Sequence, residues 1–126
     1  MEARPEKLHG LRILVVEDEA LVLMEIEDML RELGCEIVGP ASTVATALSA
    51  IGENALDGAL LDMNLRGEPI LPAAERLMAR GIPFLLVTGY AICSSDAPTL
   101  KDAPRLTKPF SLQSLGAAMT EHFLRH

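Results

Sequence analysis

Single polar residues follow short apolar runs at four places along the chain, and their types suggest one shared chemistry. Buried parallel strands read as continuous apolar runs, and ligands bind at the carboxyl ends of such strands. The polar residues would therefore meet at one edge of a sheet. Three carboxylates, a hydroxyl and an ammonium group suit a metal ion and a phosphoryl group. These residues are Glu17, Asp18, Asp62, Thr88 and Lys108.

The acidic residues form a set that needs a cation. Crowded carboxylates repel one another, and their pKa values rise unless a positive charge neutralises them. Mg²⁺, or Mn²⁺ in its place, takes oxygen ligands, and two or three carboxylates with one backbone carbonyl leave a position open for a phosphoryl oxygen. Glu17, Asp18 and Asp62 would supply the carboxylates. From the tip of its strand, Asp62 could attack phosphorus in line and form an acyl phosphate.

The other two polar residues match the needs of the same reaction. Phosphoryl transfer spreads negative charge over the equatorial oxygens of the transferred group. The ammonium group of Lys108 would stabilise one of these oxygens, and the hydroxyl of Thr88 would donate to another. The Lys108-Pro109 bond is in addition a candidate cis peptide.

Composition limits the kinds of partner. The 126 residues suffice for one domain, and 49% hydrophobic with 23% charged residues is an ordinary globular balance. A formal charge of −7 argues against nucleic acid or an anionic membrane as the direct partner. The sequence has neither an apolar signal region nor a run long enough to span a bilayer, so we expect a cytoplasmic protein. Cys35 and Cys93 fit no disulfide or zinc pattern and are predicted to be reduced and structural.

The elements that carry the polar residues alternate between strands and helices. Five strands alternating with helices predict a doubly wound parallel sheet with helices on both faces. The predicted strands are 11–16, 35–38, 58–61, 82–87 and 105–107, and the predicted helices are 19–33, 42 or 43 to 51, 72–80 and 111–124. Residues 89–104 contain Pro98 and Pro104 and predict a mobile loop with at most a short helix near 98–101. We expect an N-terminal tail over 1–10 and a free-standing domain over 11–124.

Taken in order, these residues carry a family resemblance over 11–123. The acidic pair, Asp62, Thr88 and the run Lys108-Pro109-Phe110 are similar to the receiver domain of two-component response regulators. The resemblance implies the flavodoxin-like receiver fold and phosphorylation of Asp62 by a sensor histidine kinase. It also implies Mg²⁺ binding by the three carboxylates and the backbone carbonyl of Asn64, with Thr88 and Lys108 contacting the phosphoryl group.

As a receiver, the chain would switch a protein-binding surface in phosphorelay signal transduction. The partner would be a downstream protein target or a phosphotransfer protein. Such a domain catalyses its own phosphorylation and dephosphorylation but acts stoichiometrically, so the resemblance implies a signalling domain rather than an enzyme.

A narrower resemblance lies in the runs DMNLRG (62–67), RGIPF (80–84) and VTGY (87–90). These are similar to the FAT GUY receivers, which are often single-domain proteins that work with histidine kinases of the HWE or a related class. Two positions depart from the pattern. Leu86-Val87 stand where that group prefers Phe-Ala, and Arg105 stands where most receivers place an aromatic switch residue. Tyr90 or ordering of the following loop would then replace the aromatic switch.

Two other functions fit parts of the pattern. A phosphorylation-independent interaction module would keep the fold, but the intact acidic set and Lys108 argue against it. A flavodoxin-like or hydrolytic enzyme would need a phosphate-binding loop after the first strand, where the acidic run 17–19 would repel a phosphate. Each residue also has an ordinary structural interpretation, since acidic residues favour helix N-termini. Their joint placement at strand ends favours a functional site.

Overall fold

A computed structural model describes residues 6–65, 67–89 and 98–124. The strands are β1 (Arg12–Val16), β2 (Glu36–Ala41), β3 (Gly58–Asp62), β4 (Phe84–Thr88) and β5 (Arg105–Thr107). The helices are α1 (Ala20–Glu32), α2 (Val44–Glu53), α3 (Leu71–Ala79), α4 (Pro98–Lys101) and α5 (Leu112–Phe123). All strand pairs are parallel, in the order β2-β1-β3-β4-β5. The predicted doubly wound, flavodoxin-like receiver fold is confirmed.

Both faces of the sheet are covered, which explains why its central strands read as unbroken apolar runs. Successive residues of a strand point to opposite faces. Leu14 and Val16 of β1 therefore pack in a core beneath α2, α3 and α4, whereas Ile13 and Val15 pack in a second core beneath α1 and α5. No helix in the described ranges is long and apolar enough to cross a bilayer.

The strand register brings the polar residues to one edge. Val16 pairs with Leu61, so Glu17 and Asp62 each come next along their strands. Asp62 pairs in turn with Val87. Thr88 pairs with Thr107, and Lys108 directly follows that pair. The carboxyl ends of four strands thus lie side by side, as predicted from the apolar runs.

The second strand extends further than the sequence predicted. The predicted strand stopped at Val38, but β2 continues to Ala41 through Gly39 and Pro40. The pairing register of β1 with β2 shifts in this region, between Leu14 and Val16. Because β2 is an edge strand, it tolerates a proline that a central strand would exclude. The other predicted elements agree with the structure to within two residues at each end.

The predicted N-terminal tail over 1–10 is partly folded. Glu6–Leu8 form a short 3-10 helix, and the side chain of Leu8 is fully buried in the core that also contains α5. The backbone N–H of Gly10 donates to the carbonyl of Gly34 at 2.8 Å, which ties this segment to the end of α1. A three-residue helix has no hydrophobic periodicity, so the sequence pattern could not reveal it.

The region after β4 was predicted as a mobile loop with a short helix. The helix exists as α4 at Pro98–Lys101. The predictions made for Tyr90 and Cys93 lie outside the described residues. The Lys108-Pro109 bond is cis, as is Gly39-Pro40.

Candidate metal and phosphoryl site

Glu17 is held in place at the end of β1 by backbone contacts. Its N–H donates to the carbonyl of Ala41 in β2 at 3.0 Å, so the chain continues along the edge before α1 begins. The N–H of Glu19 donates to Oε2 of Glu17 at 3.2 Å. The Glu17 side chain is consequently fixed and buried, with 1% of the residue exposed.

Asp62 ends β3 and is equally buried, at 1% exposure. The N–H of the next residue, Met63, donates to the carbonyl of Val87 at 3.0 Å and extends the sheet by one residue. The N–H of Asn64 donates to Oδ1 of Asp62 at 3.0 Å, a turn typical of aspartate after a strand. This turn leaves Asn64 exposed on the loop between β3 and α3.

Lys108 directly follows β5 and contacts residues at the carboxyl ends of β1, β3 and β4. Its backbone N–H donates to the carbonyl of Thr88 at 2.7 Å, which fixes the residue beside β4. Its Nζ atom lies 3.6 Å from Oδ1 of Asp62 and 3.7 Å from Oε1 of Glu17. Thr88 is itself 2% exposed at the end of the intervening strand.

The three predicted carboxylates converge. One ligand oxygen from each of Glu17, Asp18 and Asp62 lies within 4.8 Å of the others. Burial, and then the negative charge of Asp62, raise the pKa of Glu17 from its usual 4.5 to about 7, although the N–H of Glu19 and Lys108 act in the opposite direction. Lys108 alone therefore does not neutralise the cluster.

This donor set fits a hard divalent cation. The Oε1 atom of Glu17 is buried and accepts no hydrogen bond from the described residues. A buried carboxylate oxygen left in this state is costly unless a cation compensates it. Carboxylate oxygens are the ligands that Mg²⁺ prefers. The predicted ligand role of the Asn64 carbonyl stays a prediction.

Two contacts of the site were not predicted from the sequence. Oε1 of Glu19 lies 4.0 Å from Nζ of Lys108, so a third carboxylate borders the same ammonium group. Arg105 donates through Nη2 to the carbonyl of Leu100 at 2.6 Å. The only sequence signal for the first contact was the unbroken acidic run 17–19, and the second had none.

Comparison with known proteins agrees with this geometry. Residues 13–120 match the family described as the response regulator receiver domain. The chain belongs to this family, which is the class of protein that its fold and acidic site define. Receiver domains are signalling domains of two-component systems rather than classical enzymes. Phosphorylation-based switching is their standard function, and the phosphorylation-independent alternative is not favoured.

Solved structures similar to this chain include SdrG and the receiver domain of PhyR. SdrG from Sphingomonas melonis Fr1 is 42% identical, with a TM-score of 0.77 over 88% of this chain and 94% of that one. SdrG has also been solved in a BeF3-activated conformation. The receiver domain of PhyR from Erythrobacter litoralis is 27% identical, with a TM-score of 0.79 over 91% of each chain.

Curated relatives are longer than this chain. The transcriptional regulatory protein PdtaR of Mycobacterium tuberculosis is 32% identical over 109 residues, which cover 82% of this chain and 52% of that protein. The chain thus spans about half the length of the first curated relatives it matches.

Proposed function

We propose that this receiver accepts a phosphoryl group on Asp62 from a sensor histidine kinase. Glu17, Asp18, Asp62 and the backbone carbonyl of Asn64 would hold Mg²⁺, or Mn²⁺ in its place. The observation that carries the proposal is the position of Lys108, whose Nζ atom lies 3.6 Å from Asp62 within a buried acidic cluster at the sheet edge. When bound, the metal supplies positive charge that neutralises the carboxylates and the phosphoryl oxygens.

Asp62 acts as the nucleophile. A carboxylate oxygen of Asp62 forms a bond to phosphorus as the bond from phosphorus to the histidine nitrogen breaks, and the released imidazole takes up a proton from water. The hydrogen bond from Asn64 occupies Oδ1, which fixes the orientation of the carboxylate. Orientation of this kind is the main way in which a protein accelerates phosphoryl transfer.

Lys108 and Thr88 stabilise the transferred group. The ammonium group of Lys108 already lies beside the carboxylate and would contact a phosphoryl oxygen after transfer. The hydroxyl of Thr88 would donate to another oxygen, drawing the end of β4 toward the site. The domain thus supplies its own catalytic groups for phosphorylation and dephosphorylation, while each molecule accepts one phosphoryl group.

The response is a change in a protein-binding surface around β4 and the loop that follows it. Phosphorylation replaces the singly charged carboxylate of Asp62 by an acyl phosphate with about two negative charges, a net gain of about one charge next to Thr88. This local change biases a two-state surface. A downstream protein target or a phosphotransfer protein would read that surface. The formal charge of −7 supports a protein partner rather than nucleic acid or an anionic membrane.

The narrower resemblance to FAT GUY receivers points to a kinase of the HWE or a related class. The likeness to SdrG, at 42% identity over 94% of that chain, supports a receiver domain over 11–124. The existence of a BeF3-activated form of SdrG further supports activation through an acyl phosphate, since BeF3 resembles a phosphoryl group.

Acetyl phosphate with Mg²⁺ tests the acceptor directly. Intact-protein mass spectrometry should detect one added phosphoryl group on the wild type and none on Asp62→Ala or Asp62→Asn. Asp28→Ala is the matched control, because Asp28 is an exposed aspartate on α1 that pairs with Arg31. Equal labelling of the wild type and both Asp62 variants would refute the assignment.

A further inference from the structure

Glu68 ties the loop after β3 to the start of α2. Its Oε1 atom accepts a hydrogen bond from the backbone N–H of Val44 at 2.8 Å, although the two residues are 24 positions apart. Val44 is the first residue of α2, where backbone N–H groups lack helical partners and a negative charge is favourable.

The loop that Glu68 anchors is the one that carries the acceptor. The N–H of Glu68 donates to the carbonyl of Leu65 at 2.9 Å, and the same two residues form an isolated antiparallel bridge. Leu65 is fully buried. Leu65 and Glu68 are therefore held together shortly after Asp62 and Asn64, with Leu65 fixed by burial and Glu68 by its bond to Val44.

Val44, the donor of this hydrogen bond, lies three residues after the part of β2 that contacts Glu17 of the acidic site. Thr43 and Val44 follow the end of β2, and the carbonyl of Ala41 in that strand accepts the N–H of Glu17 at 3.0 Å. Glu68 thus links the loop that presents Asp62 and Asn64 to the strand that positions Glu17.

The contact with Glu68 is additional to the cap that α2 forms with its own residues. Thr43 already caps the helix, since its Oγ1 accepts the N–H of Thr46 at 3.1 Å. The Oγ1 of Thr46 accepts the N–H of Thr43 at 3.2 Å and completes a capping box. The capping box does not use the N–H of Val44, so Glu68 satisfies this group and at the same time restrains the loop that carries Glu68.

We infer that Glu68 is a positioning residue for the cation and phosphoryl site. By holding the bridge between Leu65 and Glu68 against α2, it fixes the backbone of Asn64, whose carbonyl is the proposed metal ligand. This inference rests on the proposed function. Glu68 itself touches neither the cation nor the phosphoryl group.

Three substitutions of Glu68 distinguish the effect of side-chain length, on which the hydrogen bond depends, from the effect of negative charge. Glu68→Gln keeps the length and the acceptor oxygen, whereas Glu68→Asp keeps the charge but is one methylene shorter. Glu68→Ala removes both. If Glu68 acts through its hydrogen bond, isothermal titration with Mg²⁺ should give a Kd about tenfold weaker for the Asp and Ala variants and close to wild type for Gln, as expected for a residue that orients a metal ligand.

If the negative charge of Glu68 acted on the cation only through long-range electrostatics, Glu68→Asp would bind Mg²⁺ as tightly as wild type, and Glu68→Gln and Glu68→Ala would both bind it more weakly. That result would overturn the inference. Thr43→Ala is the matched control because it weakens the α2 cap without touching the loop. It should lower Tm with an unchanged Kd. A Kd of Glu68→Ala equal to wild type, with a fall in Tm like that of Thr43→Ala, would reduce Glu68 to a helix cap.

Hydrogen exchange gives a readout that needs no metal. In EDTA, the amides of Asn64 and Leu65 should exchange faster in Glu68→Ala and Glu68→Asp than in wild type and Glu68→Gln. Unchanged exchange in all variants would also overturn the inference. Failure of wild type to bind Mg²⁺ would instead refute the proposed function, so the two failures can be told apart.

Discussion

The Nζ atom of Lys108 lies 3.6 Å from Oδ1 of Asp62, and the same ammonium group lies 3.7 Å from Oε1 of Glu17. One side chain thus offsets two buried carboxylates before any phosphoryl group arrives. Phosphorylation would redirect this positive charge from the free carboxylate to a phosphoryl oxygen. In the proposed mechanism, Lys108 would thus act in both the resting and the phosphorylated state.

Replacing Lys108 should slow phosphorylation more than it alters the fold. We expect Lys108→Ala to reduce the initial rate of labelling by acetyl phosphate by about a hundredfold, the usual effect of removing one group that stabilises developing charge. The rate is measured by intact-protein mass spectrometry at saturating Mg²⁺. Lys101→Ala, which removes an exposed lysine of α4, should label at the wild-type rate. Labelling of Lys108→Ala at that rate would contradict the role.

Mg²⁺ binding should depend on pH through Glu17. The pKa of Glu17 is about 7 without metal, so below this pH a proton occupies the carboxylate that the cation needs. The Kd for Mg²⁺ should therefore weaken progressively as the pH is lowered from about 8 to about 6. Glu17→Gln should bind more weakly and lose most of this dependence, and a wild-type Kd that is constant over this range would contradict the expectation.

The ionisation of Glu17 should also make the free energy of unfolding depend on pH when no metal is bound. Because the folded-state pKa of about 7 exceeds the usual 4.5, the folded protein holds a proton that the unfolded chain has released between these values. The stability that this proton contributes is fully present below about pH 4.5 and is lost as the pH rises through about 7. Over this range the loss is on the order of 3 kcal/mol.

Thermal unfolding in EDTA tests the sign of this effect. Tm of the wild type should fall relative to that of Glu17→Gln as the pH rises from about 6 to about 8. Saturating Mg²⁺ should remove most of the difference, since the cation replaces the proton. A Tm difference that grows in the other direction would show that Glu17 is not the group responsible.

Arg105 should hold α4 against the sheet. Its guanidinium donates to the carbonyl of Leu100 in α4 at 2.6 Å and also contacts Sδ of Met63, the residue after Asp62, at 3.9 Å. Arg105→Ala should destabilise the fold by about 1–2 kcal/mol, as expected for loss of a charged hydrogen bond. The backbone amides of residues 99–103 should exchange faster. Arg31→Ala, an exposed arginine on α1, should leave this exchange unchanged, and equal exchange in both variants would contradict the role.

The sequence predicted those site residues that lie at the ends of strands. Asp62 and Thr88 could be placed because each closes an apolar run, and parallel strands bring such positions to one edge. The contact of Arg105 with Leu100 had no sequence signal. It depends on how α4 packs on the sheet, and a four-residue helix has no periodic pattern that would fix its face.

Glu68 illustrates the same limit. Its bond to Val44 joins the loop after β3 to the start of α2, 24 positions away in the sequence. An exposed glutamate after a glycine is ordinary loop composition. Leu8 was assigned to a tail because one leucine among polar residues predicts no element, yet it is fully buried. Side-chain contacts between loops depend on tertiary packing, which strand and helix periodicity do not encode.

Cys35 should be inert in the folded protein. Burial raises the pKa of its thiol to about 11, with a smaller contribution from the charge of Asp57, and Sγ lies 3.5 Å from the carbonyl of Leu8. In Cys93→Ser, which leaves Cys35 as the single thiol, iodoacetamide should alkylate the protein only in denaturant. Rapid alkylation of this variant under native conditions would show that the segment around Leu8 opens readily.

Substitution by alanine should change the stability of the protein in opposite directions at two glycines. A Cβ atom at Gly58 in β3 would lie 2.6 Å from Cδ2 of Phe123, so the ring at the end of α5 would have to move. Gly58→Ala should cost about 1–3 kcal/mol through overpacking. A Cβ at Gly52 in α2 meets nothing within 4 Å, and Gly52→Ala should stabilise the protein by about 0.5–1 kcal/mol because alanine loses less backbone entropy in a helix.

Urea unfolding followed by far-ultraviolet circular dichroism measures both changes in one experiment. Gly52→Ala serves as the control for adding a methyl group, because it makes the same chemical change without the contact to Phe123. A midpoint for Gly58→Ala at or above that of the wild type would mean that α5 can shift away from β3. The packing of Phe123 would then not fix the position of α5 against the sheet.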